Sequence, residues 1–168
     1  MPATSPRRLV LTALLLTLAV LLVLATPAIA QDGSDRYAIS AGVFNVFETT
    51  HSEELGFEVR FGPRAFGLKP VIGVTVNSDE GGYVLAGLRR DFDAGNRWVV
   101  TPHFGITLFD EGDGKDLGHE VEFRSGLEVS YRLDDRSRLG LSFYHLSNAG
   151  LDEINPGSES LVLVYSFR

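Results

Sequence analysis

The sequence predicts an all-β protein, an eight-stranded antiparallel transmembrane β-barrel, and three observations support this fold class. Beyond an apolar N-terminal segment, runs of about ten residues alternate between apolar and polar side chains, which is typical of barrel strands. Clusters of Gly, Asp, Asn and Ser separate these runs and predict turns. The chain has no cysteine, so the sheet rather than disulfide bonds has to hold the protein together.

The N-terminus has the features of a secretory signal peptide. A basic pair, Arg7-Arg8, precedes an apolar run over residues 9–25. Ala28-Ile29-Ala30 then forms a small-x-small cleavage site. We therefore expect a signal peptide at residues 1–30 and a single mature domain at residues 31–168. A membrane anchor is the alternative, but the apolar run is short for one.

The charge of the mature chain limits the classes of partner. Without the signal peptide, 13 basic residues stand against 22 acidic ones, which gives a net charge of −9. A nucleic-acid partner would require a basic patch, so none is expected. Metal sites built on thiolates are excluded because the chain has no cysteine.

Eight strands are predicted from the alternating runs, and the second and sixth have the clearest pattern. In the second, Leu55 and Phe57 alternate with Glu58 and Arg60. Mixed charges on one face, opposite a continuous apolar face, suit a small barrel whose lumen is filled by ion pairs. The third and fourth strands are apolar on both faces, and their register stays open. The predicted strands are 37–47, 54–62, 68–77, 82–92, 97–109, 119–132, 138–147 and 158–167.

An even number of strands places both termini on one side of the membrane, the periplasmic side in a bacterial barrel. Under this topology, five aromatic residues fall on outward faces near the periplasmic rim, where aromatic girdles occur. These residues are Tyr37, Trp98, Tyr131, Tyr165 and Phe167. The alternative is a secreted water-soluble barrel with apolar residues inside, because parity alone does not tell inside from outside. The final Arg168 follows the aromatic Phe167 and bears on how well the barrel inserts.

A histidine, a serine and a glutamate lie on the apolar faces of the last two predicted strands. Period two puts His145 and Ser147 on one face, and Glu159 begins the apolar face of the following strand. If the strands form a hairpin that pairs His145 with Glu159, the carboxylate can orient the imidazole. Ser147 then lies about 7 Å from His145 along the same face. If the two side chains lean towards each other, they can form a hydrogen bond. This is the nucleophile, base and orienting acid of a serine hydrolase.

The loop between these strands offers donors for an oxyanion. The candidates are the side-chain amide of Asn155 and the backbone N–H groups around Gly150. Asn148 directly follows the candidate nucleophile, but its parity turns it to the opposite face. We therefore assign Asn148 a supporting role.

The segment 143–167 resembles the lipid A 3-O-deacylase family of Gram-negative outer membranes. The resemblance covers the His-x-Ser-Asn motif at 145–148, with a glycine, an asparagine and a glutamate five, ten and fourteen residues after the histidine. It implies hydrolysis of the ester-linked 3-hydroxyacyl chain at position 3 of lipid A, without metal or cofactor. The site would lie at the extracellular ends of the last two strands. The implied partners are lipid A and other outer-membrane lipids, and a homodimer is allowed.

Two other functional classes stay open, a catalytically silent structural barrel and a lipid acyltransferase. The remaining histidines, His51, His103 and His119, are scattered over loops and strands and are interpreted as non-catalytic. The acidic stretch between Asp110 and Asp116 is compatible with calcium, although such runs more often form solvated loops.

Overall fold

A computed structural model of the chain describes residues 35–168, so the signal peptide expected at residues 1–30 lies outside the described residues. A short 3-10 turn, Ala65–Gly67, precedes the third of nine strands. No helix in residues 35–168 is long and apolar enough to cross a membrane. The strands are β1 (Arg36–Phe44), β2 (Ser52–Arg60), β3 (Lys69–Asn77), β4 (Gly82–Arg89), β5 (Phe92–Ala94), β6 (Trp98–Asp110), β7 (Val121–Arg132), β8 (Arg138–Ser147) and β9 (Ser158–Phe167).

The nine strands form one antiparallel sheet that closes on itself. The first strand, β1, pairs with both β2 and β9, which closes the barrel at that point. On the other side, β4 pairs with β6 over most of its length, and the short β5 pairs with the remainder of β6. Because β4 and β5 occupy a single position in the sheet, the barrel is eight-stranded and antiparallel, as predicted.

The break between β4 and β5 divides the fourth predicted strand and has a cause on the neighbouring strand. The backbone N–H of Arg90 donates to the carbonyl of Pro102 at 3.2 Å. Proline has no N–H to return the second bond of the pair, so the ladder is interrupted at Arg90 and Asp91. The structure also fixes the register of the third and fourth strands, which places Val74 opposite Val84.

The first strand is shorter than predicted, because β1 ends at Phe44 rather than at residue 47. Asn45 adopts a φ of 61°, a left-handed conformation that asparagine tolerates better than most residues. Its side-chain amide donates to the carbonyl of Thr50 at 2.8 Å and closes the β1–β2 loop. The register of the pattern still holds, since β2 starts only two residues before its predicted position.

The charged faces of the strands point into the lumen and the apolar faces point outward. On β7, Glu122, Arg124 and Glu128 are buried, whereas Leu127 and Val129 are 45% and 40% exposed. A water-soluble barrel would have the reverse arrangement, so that alternative is wrong. The outer surface is instead the apolar surface expected of a barrel that meets lipid.

Ion pairs between strands far apart in sequence fill the lumen. The guanidinium of Arg60 contacts Glu58 and Glu128, each at 2.8 Å. Arg124 contacts the same Glu58 at 2.6 Å. Each charge of this network therefore has an opposite charge beside it, and removing one partner would leave a buried charge uncompensated. This network makes the barrel wall a fixed support for side chains on its outer face.

The five aromatic residues assigned to one rim do lie together. Trp98 meets Tyr131 edge to face with ring centroids 5.1 Å apart. Phe167 lies 5.7 Å from Tyr165 and 5.9 Å from Tyr37. The chain enters β1 and leaves β9 at this rim. The end of β8 and the start of β9, which carry the predicted site, are at the opposite end of the barrel.

Candidate active site

The pairing of β8 with β9 brings His145 and Glu159 directly opposite one another. The imidazole Nδ1 lies 3.0 Å from Oε1 of the carboxylate, within hydrogen-bond distance. Both side chains point outward and are partly exposed, 40% for His145 and 33% for Glu159. The expected cross-strand pair is therefore present. A carboxylate on Nδ1 fixes the tautomer that leaves Nε2 free to accept a proton.

Ser147 is the last residue of β8 and lies on the same outward face, opposite Phe123 of β7. It is partly exposed and lies two residues beyond His145, about 7 Å along the strand. The hydrogen bonds of residues 35–168 do not include one between Ser147 and His145. The structure thus brings the candidate base, His145, into contact with Glu159, and it leaves Ser147 two residues further along the same face. Such catalytic hydrogen bonds often tighten only when substrate binds.

Asn148 is fully buried and ties three segments together. Its side-chain amide donates to the carbonyls of Leu117, at 3.0 Å, and Ile154, at 2.7 Å. Its Oδ1 accepts the N–H of Gly150 at 2.9 Å, and its own backbone N–H donates to Oδ1 of Asn155 at 3.1 Å. The residue therefore fixes the chain immediately after Ser147 against the β6–β7 loop and the β8–β9 loop. This geometry fits the supporting role assigned to it.

The two candidate donors to an oxyanion differ in the hydrogen bonds that they already make. Asn155 is exposed, and its Oδ1 is held by the Asn148 N–H, which leaves the amide NH2 as a donor. The N–H of Gly150 is already donated to Asn148. Residues Ala149 and Gly150 have φ values of 54° and 83°, as in a type I′ turn. To donate to an oxyanion, the Gly150 N–H would have to leave or share its present acceptor, Asn148. The NH2 group of Asn155 would not.

Two glycines near the site were missed by sequence reasoning. Gly157 is buried, has a φ of 64°, and packs against the ring of His145. Gly118 in the β6–β7 loop has a φ of 90°, and a Cβ there would overlap the carbonyl of Ile154. Their sequence signal is only that each lies at the edge of a predicted loop. What each glycine touches depends on loops that alternation does not describe.

Exposed apolar side chains surround the polar pair. Phe47, in the β1–β2 loop, is 75% exposed, and its ring lies 6.0 Å from that of Phe143 on β8. Leu151 and Ile154, in the β8–β9 loop, are also exposed. The outward faces of β8 and β9 continue as apolar side chains beyond His145 and Glu159. The site is therefore a small polar group at the edge of a wide apolar surface.

A contact between loops stabilises this end of the barrel. Lys115, in the β6–β7 loop, donates to Oε1 of Glu48 at 2.5 Å and to Oδ1 of Asn45 at 3.2 Å. The hydrogen bond from Lys115 holds the pKa of the Glu48 carboxyl below its usual value. The β1–β2 and β6–β7 loops are thus joined, and the β6–β7 loop is in turn bonded to Asn148.

The other histidines lie elsewhere. His103 is buried in the lumen, where its Nε2 is 3.2 Å from the hydroxyl of Ser142. His119 accepts the N–H of Val121 at the start of β7, at 2.8 Å. His51 is exposed in the β1–β2 loop. In the part of the chain that the structure describes, no three His, Asp or Glu side chains are arranged to hold a metal ion.

Comparison with known proteins identifies the family. The family profile "Lipid A 3-O-deacylase (PagL)" matches residues 54–168, which include β2 from its third residue, all of β3 to β9 and the whole candidate site. The chain belongs to this lipid A 3-O-deacylase family. Its fold is that of an outer-membrane β-barrel of the PagL type.

One relative agrees with this family, and two solved structures share the fold. "Lipid A deacylase PagL" of Bordetella bronchiseptica is 30% identical over 76 residues, which span 44% of this chain and 43% of that protein. The alignment thus includes less than half of that relative. The crystal structure of the outer membrane enzyme PagL superposes with a TM-score of 0.61 at 19% identity, over 79% of this chain and 99% of that one. Neisserial surface protein A superposes with a TM-score of 0.58 at 11% identity, over 79% and 94%.

Proposed function

We propose that this chain is a serine esterase of the outer membrane that removes the 3-hydroxyacyl chain ester-linked at position 3 of lipid A. The observation that carries the proposal is the His145–Glu159 pair on the outward, apolar side of a barrel whose family is the lipid A 3-O-deacylases. A hydrolytic site on that surface suits a substrate that lies in the bilayer. A site for a soluble substrate would be expected in the lumen or in a loop cleft.

The proposed reaction follows the logic of an acyl-enzyme. Glu159 orients His145, and Nε2 of His145 takes the proton from the hydroxyl of Ser147 as its oxygen attacks the ester carbonyl. The amide of Asn155, with the Gly150 N–H once it leaves Asn148, donates to the oxyanion. Collapse expels the sugar oxygen, which receives the proton from His145. Water, activated by the same imidazole, then releases the fatty acid and restores Ser147.

The position of the site in the barrel also supports this function. An ionised carboxylate and a transient imidazolium would be costly at the centre of a bilayer and much less so at its boundary. His145 and Glu159 lie at the end of the barrel opposite the aromatic rim, and both are partly exposed. With both termini in the periplasm, this end would face the outside of the cell. The substrate, lipid A, would then reach the site by lateral diffusion in the outer leaflet.

Mass spectrometry of lipid A from cells that express the chain tests the proposal. We expect the loss of one hydroxyacyl chain with the unaltered protein and no loss with Ser147→Ala or His145→Ala. Outer-membrane fractions resistant to carbonate extraction would show that each variant is inserted. Unchanged lipid A with an inserted barrel would indicate the structural barrel, and a gain in mass would indicate an acyltransferase.

A further inference from the structure

Gly157, the residue immediately before β9, lies against the catalytic edge of the imidazole. A Cβ built on Gly157 would be 2.6 Å from Cε1 of His145 and 3.2 Å from its Nε2. The first of these distances is shorter than two carbon atoms tolerate without moving. Leu146 leaves no room on the other side, since its carbonyl oxygen is also 3.2 Å from the same point. The ring therefore occupies the space that any side chain at position 157 would need.

The register of the hairpin shows why Gly157 lies close to the ring of His145. His145 is paired with Glu159, and Leu146 is paired with Ser158. Continuing the register by one residue brings Gly157 opposite Ser147. The imidazole thus has Nδ1 held by Glu159 and its Cε1–Nε2 edge against Gly157.

We propose that Gly157 is a positioning residue for the reaction: its lack of a side chain allows the ring of His145 to lie along the strand with Nε2 directed towards Ser147. This inference rests on the proposed function. A methyl group at position 157 would push the ring outward, away from Ser147, and would stretch its bond to Glu159. The carboxylate of Glu159 fixes one edge of the imidazole, and the absence of a side chain at Gly157 leaves space for the other edge.

The positive φ of Gly157 also favours glycine, and this second effect has to be separated from the first. The chain offers a matched control in Gly95, which lies between β5 and β6 at the opposite rim. Gly95 has a φ of 74°, close to the 64° of Gly157, and a Cβ there would meet nothing within 4 Å. Gly95→Ala therefore imposes the backbone strain without the contact.

The experiment compares wild type, Gly157→Ala and Gly95→Ala, each as the full chain refolded into detergent micelles with purified lipid A. We expect Gly157→Ala to lower kcat about 100-fold, the effect of displacing a catalytic group by about 1 Å. Its KM should stay within about three-fold, because the apolar surface is unchanged. Gly95→Ala should keep kcat within about two-fold. If Gly157→Ala does not fold, Gly157→Asn replaces it, because asparagine tolerates the positive φ and still carries a Cβ.

A second measurement reports on Ser147 and His145 without lipid binding. The probe is a small water-soluble fluorophosphonate. The Ser147 oxygen bonds to its phosphorus, fluoride leaves, and the serine proton passes to His145. We expect Gly157→Ala to slow this labelling by about as much as it lowers kcat. Unchanged labelling and kcat in Gly157→Ala, or an equal loss in Gly95→Ala, would overturn the role of Gly157. Wild type that is neither active nor labelled would instead remove the esterase proposal, and this role with it.

Discussion

Two histidines of this barrel lie near serines, one pair inside the lumen and the other on the outer surface. His103 of β6 is hydrogen-bonded to Ser142 of β8 at 3.2 Å. His145, three residues further along β8 than Ser142, faces outward with Ser147 on the same side. The lumen pair has the shorter serine–histidine distance, yet the outer pair is the one with the features of a catalytic site.

The difference lies in what contacts the second ring nitrogen and in what can reach the serine. Nδ1 of His145 is held by Glu159, whereas Nδ1 of His103 is buried with no hydrogen-bond partner within the described residues. A cavity of about 20 Å³ lies beside His103 and Ser142, which is space for a water molecule but not for an ester. A serine next to a histidine is therefore not enough. An orienting carboxylate and access for the substrate distinguish the outer pair from the lumen pair. Both depend on the face of the strand that each residue occupies.

Removing each serine in turn gives the largest expected contrast. Ser147→Ala deletes the proposed nucleophile and should lower kcat by at least about 10⁴-fold. Ser142→Ala makes the same change on the same strand but on the lumen face, and should leave kcat within about three-fold. The measurement is deacylation of lipid A by each purified variant. Equal losses in the two variants would mean that Ser147 has no special role.

Neutralising a carboxylate on each side of the wall should separate catalysis from stability. Glu159→Gln should lower kcat about 10³-fold because the amide no longer stabilises the imidazolium, and unfolding should be little changed. Glu128→Gln, in the lumen, removes a charge paired with Arg60 and should lower the free energy of unfolding by about 3 kcal/mol. Denaturant unfolding and kcat together test both. A stability loss in Glu159→Gln as large as in Glu128→Gln would show that the outer pair is structural.

The buried Asn148 links the two regions, because its side chain points inward and its backbone follows Ser147. Asn148→Ala leaves the carbonyls of Leu117 and Ile154 without their donor, and should lower kcat about 10-fold and stability by about 2 kcal/mol. Asn77→Ala is the control, since the Asn77 side chain also hydrogen-bonds to loop backbone: its Oδ1 accepts two N–H groups in the β3–β4 turn, far from β8 in the sequence. Its stability should fall without loss of kcat. Kinetics on both variants decide whether the support from Asn148 is specific to the site.

Alternation along the strands was sufficient to predict the barrel and the lumen charges, because these depend only on period two. The cross-strand pair of His145 with Glu159 also required an assumed hairpin register, which the structure confirms. The outward direction of the apolar faces needed the additional argument from the aromatic rim. Lumen residues such as Glu122 and Arg124 confirm that direction.

Features that depend on loops or on neighbouring strands were not predictable in this way. The split of the fourth strand is caused by Pro102, which is on another strand and meets Arg90 only once the register is known. The end of β1 depends on the left-handed conformation of Asn45, which the alternating pattern does not indicate. Two contacts arise from loop conformations: the packing of Gly157 against the ring of His145, and the hydrogen bond from the Gly150 N–H to Asn148. Loops have no periodic signal, so their contacts follow only from the three-dimensional structure.

The loop contact of Lys115 with Glu48 should have the smallest effect, and a pH series distinguishes it from the lumen ion pairs. The pKa of Glu48 is lowered in the folded protein from its usual value of 4.5, so the contact stabilises the loops above that pH and weakens as the pH falls through the lowered value. Lys115→Met should accelerate amide hydrogen exchange in the β1–β2 loop about two-fold to three-fold at pH 6. The ratio of variant to wild-type exchange should fall towards one as acid protonates Glu48 in both proteins. Glu48 is exposed, so high salt should reduce the same ratio, whereas the buried contacts of Glu58 and Glu128 should be insensitive to salt. A ratio that is unchanged by acid and by salt would show that Lys115 acts on this loop through packing rather than through charge.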